Sequence, residues 1–192
     1  MSIRTKDRQF VSVSDLHEAG YSNYKIKQLA AEGDIARINR KWYEIADYSG
    51  EINDFYAVRA YAERGVVCLL SASVYYDLTT HRPTCVDVAL PRSARVPAAP
   101  EWPPMRFYRM SGSRYSLGIV TVKEGENSFR IYDKEKTVCD VVFYRNKLGI
   151  EVASEVLKSY VRNSDRDLNR LMKYAEDLHV KATIQQYLEV LL

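Results

Sequence analysis

An α+β fold is predicted, strands first and helices after, preceded by a small helical unit that closes in a hairpin. Three observations predict it. Residues 7–48 pass quickly from helix signals to two strand-like runs. Between 66 and 132, apolar or alternating segments are separated by proline and glycine turns. From Asp133 onward, apolar residues recur at helical spacing.

The chain has 192 residues, enough for one domain or two small ones. With 46% hydrophobic and 28% charged residues it matches neither a disordered nor a fibrous chain. The longest uncharged apolar stretch, 65–76, contains Ser71 and Ser73 and is shorter than the roughly 20 residues a membrane span needs. No transmembrane helix and no membrane partner are expected. Arg4, Lys6, Asp7 and Arg8 are followed by no apolar run, so no secretory signal is expected. Cys68, Cys85 and Cys139, odd in number and far apart, indicate a reduced, cytoplasmic protein. Fifteen tyrosines against five phenylalanines favour half-buried surfaces that meet a polar partner.

In the first unit, Val11, Leu16 and Ala19 form a short helix before Gly20, which suits a tight turn. Ser22 caps a second helix whose Ile26, Leu29, Ala30 and Gly33 fall on one stripe, with Gly33 as its stop. The opposite face holds Tyr24, Lys27, Gln28 and Ala31, with Asn23 at its N-terminal edge. Residues 34–38 and 42–45 then read as two strands joined by the tip Asn39-Arg40-Lys41.

Helix, turn, helix and basic hairpin in this order predict a winged helix-turn-helix over residues 1–48. A second helix of this kind fits the major groove of duplex DNA, and polar side chains near its start reach base edges. The DNA-binding set is Ser22, Asn23, Tyr24, Lys27 and Gln28 on that helix, with Arg37, Asn39, Arg40 and Lys41 on the wing. Lys27 and Gln28 suit guanine and adenine edges. Arg37, Arg40 and Lys41 would neutralise phosphates, which gives affinity and register but no sequence information. The competing view is a protein docking module whose outward face is merely solvated.

The second domain, 49–192, is expected to begin with a linking helix over 51–65, with no proline- or glycine-rich linker, so the two parts should pack together. There follow an apolar run at 66–69, a short helix through Tyr76, and strands at 86–90, 105–110, 119–122 and 129–132. Residues 91–104 hold five prolines and predict an irregular excursion. Helices are expected over 134–147, 150–162 and 165–179, and a last one ends at Leu192.

The net charge of +3 is too mild to imply nucleic acid, so its distribution matters more. Between 82 and 114 six arginines face only Asp87 and Glu101. Arginine is the residue suited to forked contacts with phosphate or carboxylate. Arg92, Arg95, Arg106 and Arg109 are the candidate second surface, for nucleic acid, a protein partner or a second copy; the alternative is a solvated loop.

No catalytic constellation is readable. His17, His81 and His179 lie in unrelated segments, so no metal site is expected. Nucleophile-elbow, phosphate-loop and dinucleotide fingerprints are missing, as is any acidic-x-Lys triplet, so neither a cofactor nor an enzyme is expected. Cys139 reads as a core residue. Asp140, amid Val138, Val141, Val142 and Phe143, needs a partner if buried: Thr137, Tyr144 or a loop arginine.

An ordered series of segments carries a resemblance. It runs from Gly33, Trp42 and Tyr43 through 65–72, Leu78-Thr79-Thr80, Ala89-Leu90-Pro91-Arg92, Gly118-Ile119 and Arg130-Ile131-Tyr132. It continues with Lys136-Thr137-Val138-Cys139-Asp140, 143–149 and the closing 187–192. Over nearly the whole chain this resembles the AbiEi family of antitoxins. The resemblance implies an antitoxin of a type IV toxin–antitoxin pair whose winged helix represses its own operon at inverted repeats in double-stranded DNA. It implies a C-terminal antitoxin domain that counters a nucleotidyltransferase toxin, without a stable complex in the founding case; a second copy bound cooperatively on DNA is one partner expected for the loop arginines. The tip Asn39-Arg40-Lys41 departs from the glycine-containing tip of that family, and the arm before Asp7 is too short for a further helix. Two other readings are a protein that sequesters its toxin directly, using the winged helix for docking, and a nuclease built around Asp140.

Overall fold

The computed structural model describes residues 7–191, with side chains as far as 189. Arg4, Lys6, the arm before Asp7 and the end of the last helix at Leu192 lie outside the described residues.

The first unit runs β1 (Phe10–Ser12), α1 (Val13–Glu18), α2 (Asn23–Glu32), β2 (Ile35–Arg37) and β3 (Trp42–Ile45). Ser12 opens α1 with a capping box: Asp15 N–H donates to its hydroxyl, and its own backbone N–H donates to the Asp15 carboxylate at 2.8 Å. Gly20 (φ 89°) and Gly33 (φ 82°) take the left-handed conformations that end α1 and α2, as their spacing predicts. β1 is a finding, because Val11 was expected within the first helix. It pairs antiparallel with β3 (Ser12 opposite Trp42), making a three-stranded sheet of order β1-β3-β2. Val11, Leu16, Ile26, Leu29, Ile35, Tyr43 and Ile45 close the core of this unit.

The rest of the chain is built on a five-stranded mixed sheet. Its elements are α3 (Asp54–Tyr61), β4 (Val66–Val67), α4 (Leu69–Tyr75), β5 (Val86–Pro91), β6 (Met105–Met110), α5 (Ser113–Ser116), β7 (Ile119–Glu124) and β8 (Asn127–Tyr132). After these come α6 (Lys134–Phe143), α7 (Arg145–Leu148), α8 (Ile150–Arg162), α9 (Leu168–Asp177) and α10 (Lys181–Leu191). The chain is therefore α+β with strands before helices. Sheet order is β6-β5-β4-β8-β7, with β5–β6 and β4–β8 parallel and the other pairs antiparallel. The linking helix is shorter than the expected 51–65: Asn53 caps it by accepting from Phe55 N–H, and the backbone leaves helix at Ala62. The single helix expected over 134–147 breaks at Tyr144 into α6 and α7.

One sheet face packs on α3, burying Tyr56, Ala57, Val58, Val88, Leu90, Phe129 and Ile131. The other packs on α6 and the helices after it, around Tyr132, Val138, Val142, Val156, Tyr160 and Leu171. Phe10 and Trp42 of the first unit belong to the α3-side core, so the two parts share packed apolar surface. No helix of the described residues is long and apolar enough to cross a membrane.

Candidate nucleic-acid interface

Ser22 opens α2, its hydroxyl accepting from Lys25 N–H at 3.3 Å, so its side chain serves the cap first. Beyond it, Asn23, Tyr24, Lys27 and Gln28 are exposed, Tyr24 to 80%. Ile26 and Leu29 are buried beneath them, so burial of the apolar stripe is what aims these four side chains outward. Gln28 is not idle on that surface: Lys25 Nζ donates to its carbonyl at 3.1 Å, and its amide donates to Glu32 at 2.7 Å. Reading a base edge would exchange these bonds for others.

The β2–β3 hairpin is more strongly shaped than the other parts of the set. Asn39, placed among the DNA contacts on sequence, spends its amide on architecture. Its oxygen accepts from the backbone N–H of Lys41 (2.9 Å) and Trp42 (3.1 Å), and its NH2 donates to the Ala60 carbonyl (2.8 Å) at the end of α3. Asn39 thus folds the tip and ties it to α3. Arg37 Nε donates to the Asn39 carbonyl at 3.2 Å, which orients the guanidinium without neutralising it. Lys41 pairs with Glu63 at 2.8 Å and holds that carboxyl below the usual range. Both side chains are about two-thirds exposed (68% and 67%), so the pair contributes at most about 1 kcal/mol and yields readily to a phosphate. Arg40 is exposed.

A cleft beside the hairpin was not anticipated. Trp42, Arg59, Glu63, Ser128 and Arg130 line it. Arg59 donates to Ser128 Oγ (3.2 Å) and lies 5.5 Å from the Trp42 ring centre; Arg130 donates to the carbonyls of Glu63 and Gly65 (3.0 and 3.2 Å). Both guanidinium groups are anchored by neutral partners. Their proximity depends on sheet order and the docking of α3, which no spacing in the chain encodes.

The four arginines of the second set do not form one patch. Arg106 and Arg109 stand three residues apart on β6 and so point to opposite faces of the sheet. Arg109 donates to the Arg92 carbonyl, bringing those two together, while Arg95 is exposed on the loop beyond. Arg106 lies beside Tyr108 and close to Asp87. Asp87 is 1% exposed, its Oδ1 is without a hydrogen-bond partner, and burial pushes its pKa up to about 6 against the pull of Arg106. The folded chain then holds a proton between about pH 4 and 6 that the unfolded chain releases. The stabilisation is complete below the unfolded pKa and is lost as pH rises through 6. Asp87→Asn is expected to flatten the stability profile across that window and to raise thermal stability at pH 7–8 by about 2–3 kcal/mol, read from melts at each pH.

Asp140 is fully buried and meets two cations. Lys136 Nζ donates to its Oδ2, and Arg114 donates to its Oδ1 at 3.1 Å. Burial pushes the carboxyl upward, opposed by Lys136 and then Arg114. The partners are therefore an arginine on the short helix α5, where a loop arginine is expected, and Lys136, whose i,i+4 spacing to Asp140 is visible in the sequence. Cys139 is buried and its thiol is pushed up to about 12 by desolvation, far from a reactive thiolate. Among the described residues no group of three or more His, Cys, Asp or Glu is placed to hold a metal ion.

No family model matches the chain, and a comparison with curated proteins finds no match.

Proposed function

We propose that the chain is a DNA-binding autorepressor that also serves as the antitoxin of a toxin–antitoxin operon, acting in the cytoplasm without chemistry of its own. The carrying observation is the first unit. Its order β1-α1-α2-β2-β3 and three-stranded sheet support reading it as a winged helix-turn-helix, with Asn23, Tyr24, Lys27 and Gln28 exposed on α2 and Arg40 exposed at the hairpin tip. On this reading α2 enters the major groove and Arg37, Arg40 and Lys41 take phosphates, while Ser22 and Asn39 act as cap and brace. The antitoxin role, the nucleotidyltransferase toxin it counters and the operator's inverted repeats rest on the resemblance to AbiEi antitoxins.

The second reading, a docking module that sequesters the toxin directly, is favoured by one feature: the wing is bonded to the second domain through Asn39–Ala60 and Lys41–Glu63. Titrating the protein against duplex DNA from immediately upstream of its own gene, and against a scrambled duplex, separates the two. Repression requires tighter binding to the upstream duplex and a salt slope of about 0.9 per phosphate contacted, summed over several contacts. Equal, weak binding to both duplexes would favour sequestration.

A further inference from the structure

Among the described residues β6 ends the five-stranded sheet and pairs only with β5, from Val86 opposite Met105 to Pro91 opposite Met110. The carbonyls of Pro104 and Met110 accept from Val86 and Arg92 N–H, at 2.8 and 2.7 Å, and so face β5. A parallel ladder alternates with period two, so the N–H and C=O groups of Met105, Phe107 and Arg109 face away from the sheet. Among the described residues none of these outward groups has a hydrogen-bond partner. An open edge of six residues is a template for another strand unless something blunts it.

The side chains on this edge say which strand. Arg106 and Arg109 are both exposed, one on each face, and Arg92 stands beside Arg109. Asp87, the carboxylate whose charge reaches Arg106, is buried on β5. The opposite edge, β7, carries Lys123 and Glu124 together and has no such bias. A second copy fits poorly: antiparallel self-pairing must set outward residues opposite outward residues, and the register centred on Phe107 makes the Arg106 side chains of the two copies diagonal neighbours on one face, with no carboxylate on the strand to separate them. Nucleic acid could meet the arginines but has no backbone ladder to satisfy the outward row.

We infer that the outer edge of β6 accepts, by strand addition, an acidic extended segment of a protein partner. Carboxylates three residues apart on that segment meet Arg106 on one face and Arg109 on the other, and apolar residues between them cover Phe107 and Tyr108. Main-chain bonds to Phe107 and Arg109 supply affinity, and the arginines supply selectivity. This surface is separate from α2 and the wing, so it stands or falls independently of the DNA reading.

The probe is a short valine- and threonine-rich peptide with two glutamates three residues apart, offered to the full-length chain, with a lysine version and a central-proline version as controls. Binding is read by fluorescence anisotropy and by amide exchange at single residues. The expected result is saturable binding of the glutamate peptide alone, with slowed exchange at the Phe107 and Arg109 amides. Arg109→Ala weakens it about tenfold. Arg109→Pro also deletes the outward N–H while leaving the β5 ladder intact, and weakens it further. Four outcomes overturn the inference: no binding of the glutamate peptide, equal binding of the lysine peptide, binding without slowed exchange at those two amides, or tighter binding of an oligonucleotide at the same edge. A fifth is slowing of the same amides with protein concentration alone, which would make a second copy the occupant.

Discussion

Asp140→Asn is expected to lower the stability of the fold by about 3–5 kcal/mol, measured by denaturant unfolding at neutral pH. The substitution keeps the side chain's volume, so the loss reports charge and not a cavity. Lys136 would be left as an ammonium group with no exposed side-chain surface, its Nζ 4.0 Å from the centre of the Tyr132 ring and its carboxylate partner gone. Arg114 would lose less. It is 17% exposed, donates to the Leu178 carbonyl at 2.7 Å and lies 3.6 Å from the Phe143 ring centre. The paired change Lys136→Met with Asp140→Leu removes both buried charges and should recover most of the stability, because replacing a whole buried pair by apolar groups of similar size is often neutral. A nuclease built around Asp140 predicts something else: metal-dependent cleavage lost in Asp140→Asn with the fold intact. The geometry opposes it, since both carboxylate oxygens are engaged by cations in a place without solvent.

How much of this arrangement was legible depended on the range over which each feature is decided. α2 was readable because its signals are local: Ser22 at the cap, a buried stripe at Ile26 and Leu29, and Gly33 at the stop. The β2–β3 hairpin was readable for the same reason. β1 was not, because three residues, Phe-Val-Ser, become a strand only through pairing with β3 some thirty positions later. β4 is two residues long and sits in the middle of the sheet, parallel to β8; its apolar run signalled burial but not its neighbours. The break of α6 at Tyr144 was hidden by apolar periodicity that continues across it. Within the site, exposure of Lys27, Gln28 and Arg40 followed from helix phase and hairpin position, whereas the use of Asn39 to brace the hairpin needed the C-terminus of α3 to arrive beside it. The open edge of β6 is a property of sheet order, which alternation along a strand does not contain.

Replacing Arg37, Arg40 and Lys41 together by alanine is expected to weaken binding to the upstream duplex on the order of a hundredfold at physiological salt. It should make the salt slope shallower by up to about 0.9 for each lost phosphate contact. Most of the effect is assigned to Arg40, which is exposed at the tip, while Arg37 is already oriented by the Asn39 carbonyl and Lys41 must first leave Glu63. Affinity for scrambled duplex should fall in proportion, because phosphate contacts carry no sequence information. Gln28→Ala should behave differently: the slope stays the same, and the preference for the upstream duplex shrinks by about 1–3 kcal/mol, the range of one base-edge contact. The fold tolerates all four changes, since none of these side chains is buried. Measured beside toxin neutralisation in cells, the triple variant then decides the division of labour. Neutralisation that persists while repression is lost places the two activities in separate halves of the chain. Neutralisation that falls in step with DNA affinity makes the wing a docking surface for the toxin, and the bonds from Asn39 to Ala60 and from Lys41 to Glu63 become the frame of that surface.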